Sequence, residues 1–69
     1  MKLNVFGRLV EVARDGTSWK AFYLGNEGKR RLAEDIIIPP HIQEEQIIEY
    51  VADLCHEWAT PNRNEVRKL

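Results

Sequence analysis

Apolar and polar residues alternate with a period of two along the N-terminal part of the chain, a pattern typical of β-strands. Residues 2–14 predict a first strand, with Gly7 at a bulge or bend. The sequence Asp-Gly-Thr-Ser at residues 15–18 predicts a turn, because glycine accepts positive φ and aspartate and serine bond to nearby backbone. Residues 19–24 are rich in aromatic side chains and predict a second strand. A second turn is predicted at residues 25–28, which have a glycine at each end.

A third strand is predicted to begin at Lys29 and to run to about Ala33, with a resumption through the three isoleucines at 36–38 left open. These isoleucines are interpreted as core residues. The prolines at 39–40 end the extended segment, because proline lacks a backbone donor and has a fixed φ.

The clearest predicted element is an amphipathic helix over residues 44–59. Its apolar residues recur in steps of one and three, which places them in one stripe of a 3.6-residue helix. Gln43 is a candidate N-cap, and Pro61 predicts that the helix ends by Thr60. The stripe consists of Ile47, Ile48, Val51, Leu54, Cys55 and Trp58.

Together these elements predict an α+β fold: a two-layer β-β-β-α arrangement, with a three-stranded antiparallel sheet packed against one C-terminal amphipathic helix. The domain is expected to span residues 1–60. Residues 61–69 are polar and charged, and they are expected to form a disordered tail.

The first turn also predicts a strand register. If Asp15 lies opposite Ser18, then Arg14 faces Trp19, Val12 faces Ala21 and Val10 faces Tyr23, and this face together with Phe6 is the candidate for the side that the helix covers. A three-residue loop would shift the pairing, so which face is covered stays open. The other face would expose the candidate protein-contact residues Leu9, Phe22 and Leu24.

Length and composition predict one small domain with marginal stability, because a chain of 69 residues buries only about 60% of the surface that its unfolded form exposes. Cys55 is the only cysteine, so no disulfide forms within the chain. The N-terminus has no signal-peptide pattern and no apolar run is long enough to cross a membrane, so a cytoplasmic protein is expected. Association with a second copy or another protein is expected on stability grounds.

No complete motif for catalysis, metal binding or cofactor binding is present, so neither an enzyme nor a cofactor is predicted. His56-Glu57 begins like a zinc-protease motif, but Thr60 occupies the position of the second histidine. His41, Cys55 and His56 are too few and poorly spaced for a structural zinc site. The glycines of residues 25–28 lack the following helix of a phosphate-binding loop.

Charge is divided unevenly between the two halves of the chain. Residues 1–33 carry seven basic and three acidic side chains, a charge of +4, whereas residues 34–69 carry three basic and eight acidic ones, a charge of −5. The basic half suggests nucleic-acid binding through lysine, arginine and nearby aromatic residues. The competing interpretation is that these charges keep an edge strand soluble. The candidate nucleic-acid-binding residues are Arg8, Lys20, Lys29, Arg30 and Arg31.

Several short motifs also carry a family resemblance. They are Phe6-Gly7-Arg8, Asp15-Gly16 with Trp19, Gly28-Lys29-Arg30-Arg31, Asp35-Ile36-Ile37-Ile38-Pro39-Pro40, and His56-Glu57 with Pro61. Over about residues 3–61 the chain resembles a family of short bacterial proteins of unknown function, which implies no activity and no site. Over about residues 15–58, Trp19 and the basic run are similar to the arm-type DNA-binding domains of integrases, which lay a three-stranded sheet into the DNA major groove. The topology alone is similar to small β-β-β-α antitoxins.

The function predicted from the sequence is therefore a small non-enzymatic interaction domain that binds a protein or a second copy of itself. A nucleic-acid-binding module is the alternative. Neither a membrane nor a metal is an expected partner.

Overall fold

The computed structural model describes residues 1–25 and 28–69, which form a five-stranded antiparallel sheet and one α-helix. The α+β class is confirmed, but the predicted count of three strands is wrong. The order of strands across the sheet is β4-β3-β2-β1-β5. The elements are β1 (Lys2–Val5), β2 (Arg8–Asp15), β3 (Ser18–Leu24), β4 (Arg30–Leu32), α1 (Ile47–Leu54) and β5 (Val66–Lys68).

The predicted first strand is in fact a hairpin of β1 and β2. Phe6 and Gly7 both have positive φ, 51° and 95°, as a two-residue hairpin turn with the right-handed strand twist requires. The Asn4 side chain accepts a hydrogen bond of 2.7 Å from the Gly7 backbone N–H. Because of this turn, odd-numbered residues of β1 lie on the same face of the sheet as even-numbered residues of β2. Leu3 therefore pairs with Val10 on the covered face.

The predicted register between β2 and β3 is confirmed. Asp15 pairs with Ser18, Val12 with Ala21 and Val10 with Tyr23. Val10, Val12 and Ala21 are buried, so this face is the one that packs into the core.

The third predicted strand is shorter than expected. β4 ends at Leu32, and the possibility left open, a resumption through the isoleucines, does not occur, because residues 36–38 are not in a strand. Ile36 and Ile38 are buried in the core, whereas Ile37 is 72% exposed. Of the second predicted turn, residues 26 and 27 lie outside the described residues.

The prediction of a disordered tail over residues 61–69 is corrected by β5. Val66 pairs with Val5, and Lys68 pairs with Leu3. The Phe6 backbone N–H also donates to the Glu65 carbonyl at 3.2 Å. The last residues thereby pair with backbone groups of β1 that would otherwise form an open sheet edge.

The helix is shorter than its apolar stripe predicted. A 3-10 turn at Glu44–Gln46 precedes α1, and another at His56–Trp58 follows it. At the N-terminus the Gln43 backbone N–H donates to the Gln46 side chain at 2.9 Å. Ile47 and Val51 are fully buried, whereas Leu54 is 42% exposed.

One core joins the helix to the covered face of the sheet. α1 packs against β1 and β5, and Ala33, Ile36 and Ile38 are buried in the same cluster. This connecting segment adds to the apolar cover that one short helix supplies. The other face of the sheet is left open.

Candidate interaction surface

The open face of the sheet displays all three residues predicted for protein contact. Glu11 pairs with Phe22 across β2 and β3, and alternation along these strands places Leu9 and Leu24 on the same face. Leu9 is 45% exposed, whereas Phe22 and Leu24 are half-buried.

Leu32 extends this apolar surface and was missed by the sequence reasoning. It pairs with Phe22 and is 50% exposed at the outer strand β4. The sequence signal that could have revealed Leu32 is its alternation with Arg31 in the third predicted strand, which places the two side chains on opposite faces of the sheet. We call Leu9, Phe22, Leu24 and Leu32 the open-face patch.

Charged side chains of both signs border the open-face patch. Arg30 Nη1 lies 2.7 Å from a Glu11 carboxylate oxygen, and the Arg30 guanidinium carbon lies 4.2 Å from the centre of the Phe22 ring. Lys20 Nζ lies 3.0 Å from an Asp15 carboxylate oxygen. These two ion pairs place charges of both signs around the apolar centre.

The structure does not bring the predicted nucleic-acid-binding residues together on one face. Lys20 and Arg30 lie on the open face, each paired with a carboxylate. Arg8 contacts Trp58 and Arg31 pairs with Tyr23, so these two lie toward the covered side. Lys29 lies outside the strands.

A polar groove lies at the end of the sheet where β3 ends and β2 begins. It has a volume of about 500 Å³, and we call it the end groove. Two cations, one anion, a phenol and two leucines line it. Its lining residues are Arg8, Leu9, Tyr23, Leu24, Arg31 and Asp35.

Tyr23 is held in the end groove by a hydrogen bond to a carboxylate. Its hydroxyl lies 2.7 Å from each Asp35 carboxylate oxygen and donates to that group. Burial of the phenol, helped by the bond to Asp35 and by its charge, raises the pKa of Tyr23 from 10.0 to about 12. Tyr23 is therefore a neutral donor at physiological pH.

Arg8 and Tyr23 both pack against Trp58, beside the groove. The Arg8 guanidinium carbon lies 4.4 Å from the Trp58 ring centre, and the Tyr23 and Trp58 ring centres are 6.1 Å apart. Cys55 is buried in the adjacent core, and burial raises the pKa of its thiol. A thiol kept protonated in this way is a poor nucleophile.

The other residues considered for chemistry form no site in the described part of the chain. Cys55 is buried, whereas His41 and His56 are exposed, and the His56 ring nitrogen Nδ1 lies 3.2 Å from the Asp53 carbonyl oxygen. Across residues 1–25 and 28–69, no three histidine, cysteine or acidic side chains are grouped for metal binding. No helix among the described residues is long and apolar enough to span a membrane.

Comparison with known proteins gives a family but no activity. No curated protein matches the chain, and no solved structure matches it. A family model with the description "Domain of unknown function (DUF7661)" matches residues 1–69. The expected resemblance to a family of unknown function is thereby confirmed at that level. Because the match covers the whole sequence, the chain belongs to the DUF7661 family of domains of unknown function.

Proposed function

We propose that this protein is a non-enzymatic interaction domain that associates with a second copy of itself through the open face of its sheet. The observation that carries the proposal is the open-face patch, an apolar centre bordered by charges of both signs. Interfaces of stable complexes share this anatomy, with an apolar centre and a polar rim.

The charge pattern favours a second copy over a polyanion. In a two-fold dimer each surface meets itself, so the surface must be complementary to itself. Glu11 lies beside Arg30, and Asp15 lies beside Lys20. A second copy that faces this surface can therefore place an opposite charge near each of these side chains after a small rotation relative to the first copy. A nucleic acid gains little from cations that are already paired with carboxylates.

A dimer requires most of the open face. Five strands at about 4.8 Å spacing and the length of β2 at about 3.4 Å per residue limit the projected face to about 650 Å², since the other strands are shorter than β2. A stable interface buries about 800 Å² of accessible surface per partner. Accessible surface follows the relief of the side chains and exceeds the projected area, so a stable dimer has to use the outer strands as well as β2 and β3.

Sedimentation velocity of the native chain and two variants tests the proposal. We expect a concentration-dependent dimer at micromolar concentrations, which Leu32→Glu weakens about 100-fold. A half-exposed leucine gains about 1.5 kcal/mol on burial. The substitution occurs twice in a dimer, and a total of about 3 kcal/mol corresponds to that factor.

Ile37→Glu is the matched control, because Ile37 is 72% exposed and lies outside the open-face patch. It introduces the same charge and should leave the dimer intact. Circular dichroism verifies that both variants fold. A native chain that stays monomeric, or equal weakening by both variants, would overturn the proposal.

The alternative of nucleic-acid binding is decided with the same samples. Titration with a short DNA duplex at low salt should leave the amide spectrum of the native chain unchanged. Salt-reversible shifts that disappear on replacing Arg30 and Arg31 with alanine would replace self-association by the nucleic-acid function.

A further inference from the structure

We propose that the end groove binds a carboxylate group carried next to an apolar side chain. The groove shares Leu9 and Leu24 with the open-face patch, but its arginines lie on the covered side of the sheet and Leu32 is not part of it. The proposal starts from the position of two guanidinium groups at one groove of about 500 Å³.

Arg8 is held in place for binding an anion. Its guanidinium carbon lies 4.4 Å from the Trp58 ring centre, and a guanidinium stacked on an aromatic ring keeps the N–H groups at its edge free to donate. Arg31 lines the same groove from β4. Within residues 1–25 and 28–69, neither arginine forms an ion pair with a carboxylate.

Asp35 lines the same groove as both arginines, but its hydrogen-bond partner is Tyr23. Its two carboxylate oxygens lie 2.7 Å from the Tyr23 hydroxyl, which donates to it. With two cations and one anion, the charged lining of the groove has a net charge of +1. This balance suits a single negative charge and disfavours a dianion such as phosphate, which Asp35 would repel.

The shape of the donors and the apolar wall narrow the ligand class further. A guanidinium presents two parallel N–H groups that match the two oxygens of a carboxylate. Leu9 and Leu24 line the same groove, and Leu9 is 45% exposed. A carboxylate beside an aliphatic side chain therefore satisfies both parts of the lining.

An amide NMR titration with three probes tests this assignment. N-acetyl-leucine carries both required groups, N-acetyl-leucinamide lacks the charge, and inorganic phosphate lacks the apolar group. We expect millimolar binding of N-acetyl-leucine, with shifts at Arg8, Tyr23 and Arg31. The amide and phosphate should each bind at least about tenfold more weakly, the factor that one charge-assisted contact provides.

Two variants that each remove one positive charge separate the site from general electrostatics. Arg31→Gln should weaken N-acetyl-leucine binding about tenfold, whereas Lys29→Gln, in the neighbouring exposed segment, should leave it unchanged. The titration is repeated in the Leu32→Glu variant, where binding should persist whether or not the native chain dimerises.

Three results would overturn the assignment. They are equal shifts from N-acetyl-leucine and its amide, tighter binding of phosphate, and equal effects of the two charge-removing variants. A failure of self-association leaves these outcomes readable, because the probe titration is also made in the Leu32→Glu variant, whose dimer is weakened.

Discussion

Replacement of Gly7 by alanine tests the turn between β1 and β2, which determines which side chains of β1 lie on the covered face of the sheet. Gly7 has a φ of 95°, in the left-handed region that side chains disfavour. An added Cβ would also lie 2.5 Å from Arg63 Cδ and 3.2 Å from Arg63 Nε. The substitution therefore combines backbone strain with a steric clash.

The expected loss of stability is about 2 kcal/mol, and strain supplies most of it. A non-glycine residue in a sparsely populated conformation costs about 1–3 kcal/mol. Reduced entropy of the unfolded chain offsets about 0.4–1 kcal/mol of this cost. The clash adds about 0.5 kcal/mol, because Arg63 is a long exposed side chain that moves away at the expense of its packing.

Urea unfolding of a double-mutant cycle separates the two contributions. In an Arg63→Ala background the cost of Gly7→Ala should fall by about 0.5 kcal/mol only. Gly16→Ala is the matched control, since Gly16 has a φ of 64° and an added Cβ would meet nothing within 4 Å. A Gly7→Ala variant as stable as the native chain would refute the hairpin of β1 and β2.

Two further predictions concern the core and the phenol of Tyr23. Ile47→Val should lower the free energy of unfolding by about 1 kcal/mol because Ile47 is fully buried, and the exposed control Ile37→Val should change it by less than about 0.5 kcal/mol in urea unfolding. In a Tyr50→Phe background, the ultraviolet absorbance of the phenolate should show Tyr23 titrating near pH 12 rather than 10.0. Since the folded pKa is raised, the stability that Tyr23 contributes is complete below pH 10 and is lost as pH rises through about 12. Tyr23→Phe should remove this loss, and a midpoint near 10.0 would contradict the half-buried, hydrogen-bonded phenol.

The central hairpin was predictable because local chemistry determines it. The Asp-Gly-Thr-Ser turn at residues 15–18 sets the register of β2 and β3, and the observed pairing matches it. The hairpin of β1 and β2 was not predictable in this way, because strand-forming residues flank Gly7 on both sides and resemble one continuous strand. The glycine indicated a bend, but the positive φ of Phe6 has no signal in the residue type.

The strand β5 was missed because its stability is not local. Of residues 66–68 only Val66 is apolar, and the backbone partners lie in β1 at the opposite end of the chain. A three-residue segment of this composition has no detectable period of two. Its pairing depends on the edge that β1 presents.

The candidate interaction surface was predictable where the alternation of side chains along a strand shows which face each residue occupies. Parity placed Leu9, Phe22 and Leu24 on one face, whereas the basic residues were grouped by composition. Arg8 shares the parity of buried Val10 and therefore lies away from Arg30. Contacts such as that of Arg8 with Trp58 depend on tertiary packing, which no local pattern shows.

An isotope-filtered NOE experiment on a mixture of labelled and unlabelled copies tests self-association most directly, because it reports only contacts between chains. The account predicts NOEs between the Leu9, Leu24 or Leu32 methyl groups of one copy and the Phe22 ring of the other. Intermolecular NOEs from Ile37 or Leu54, with none from the open-face patch, would contradict it.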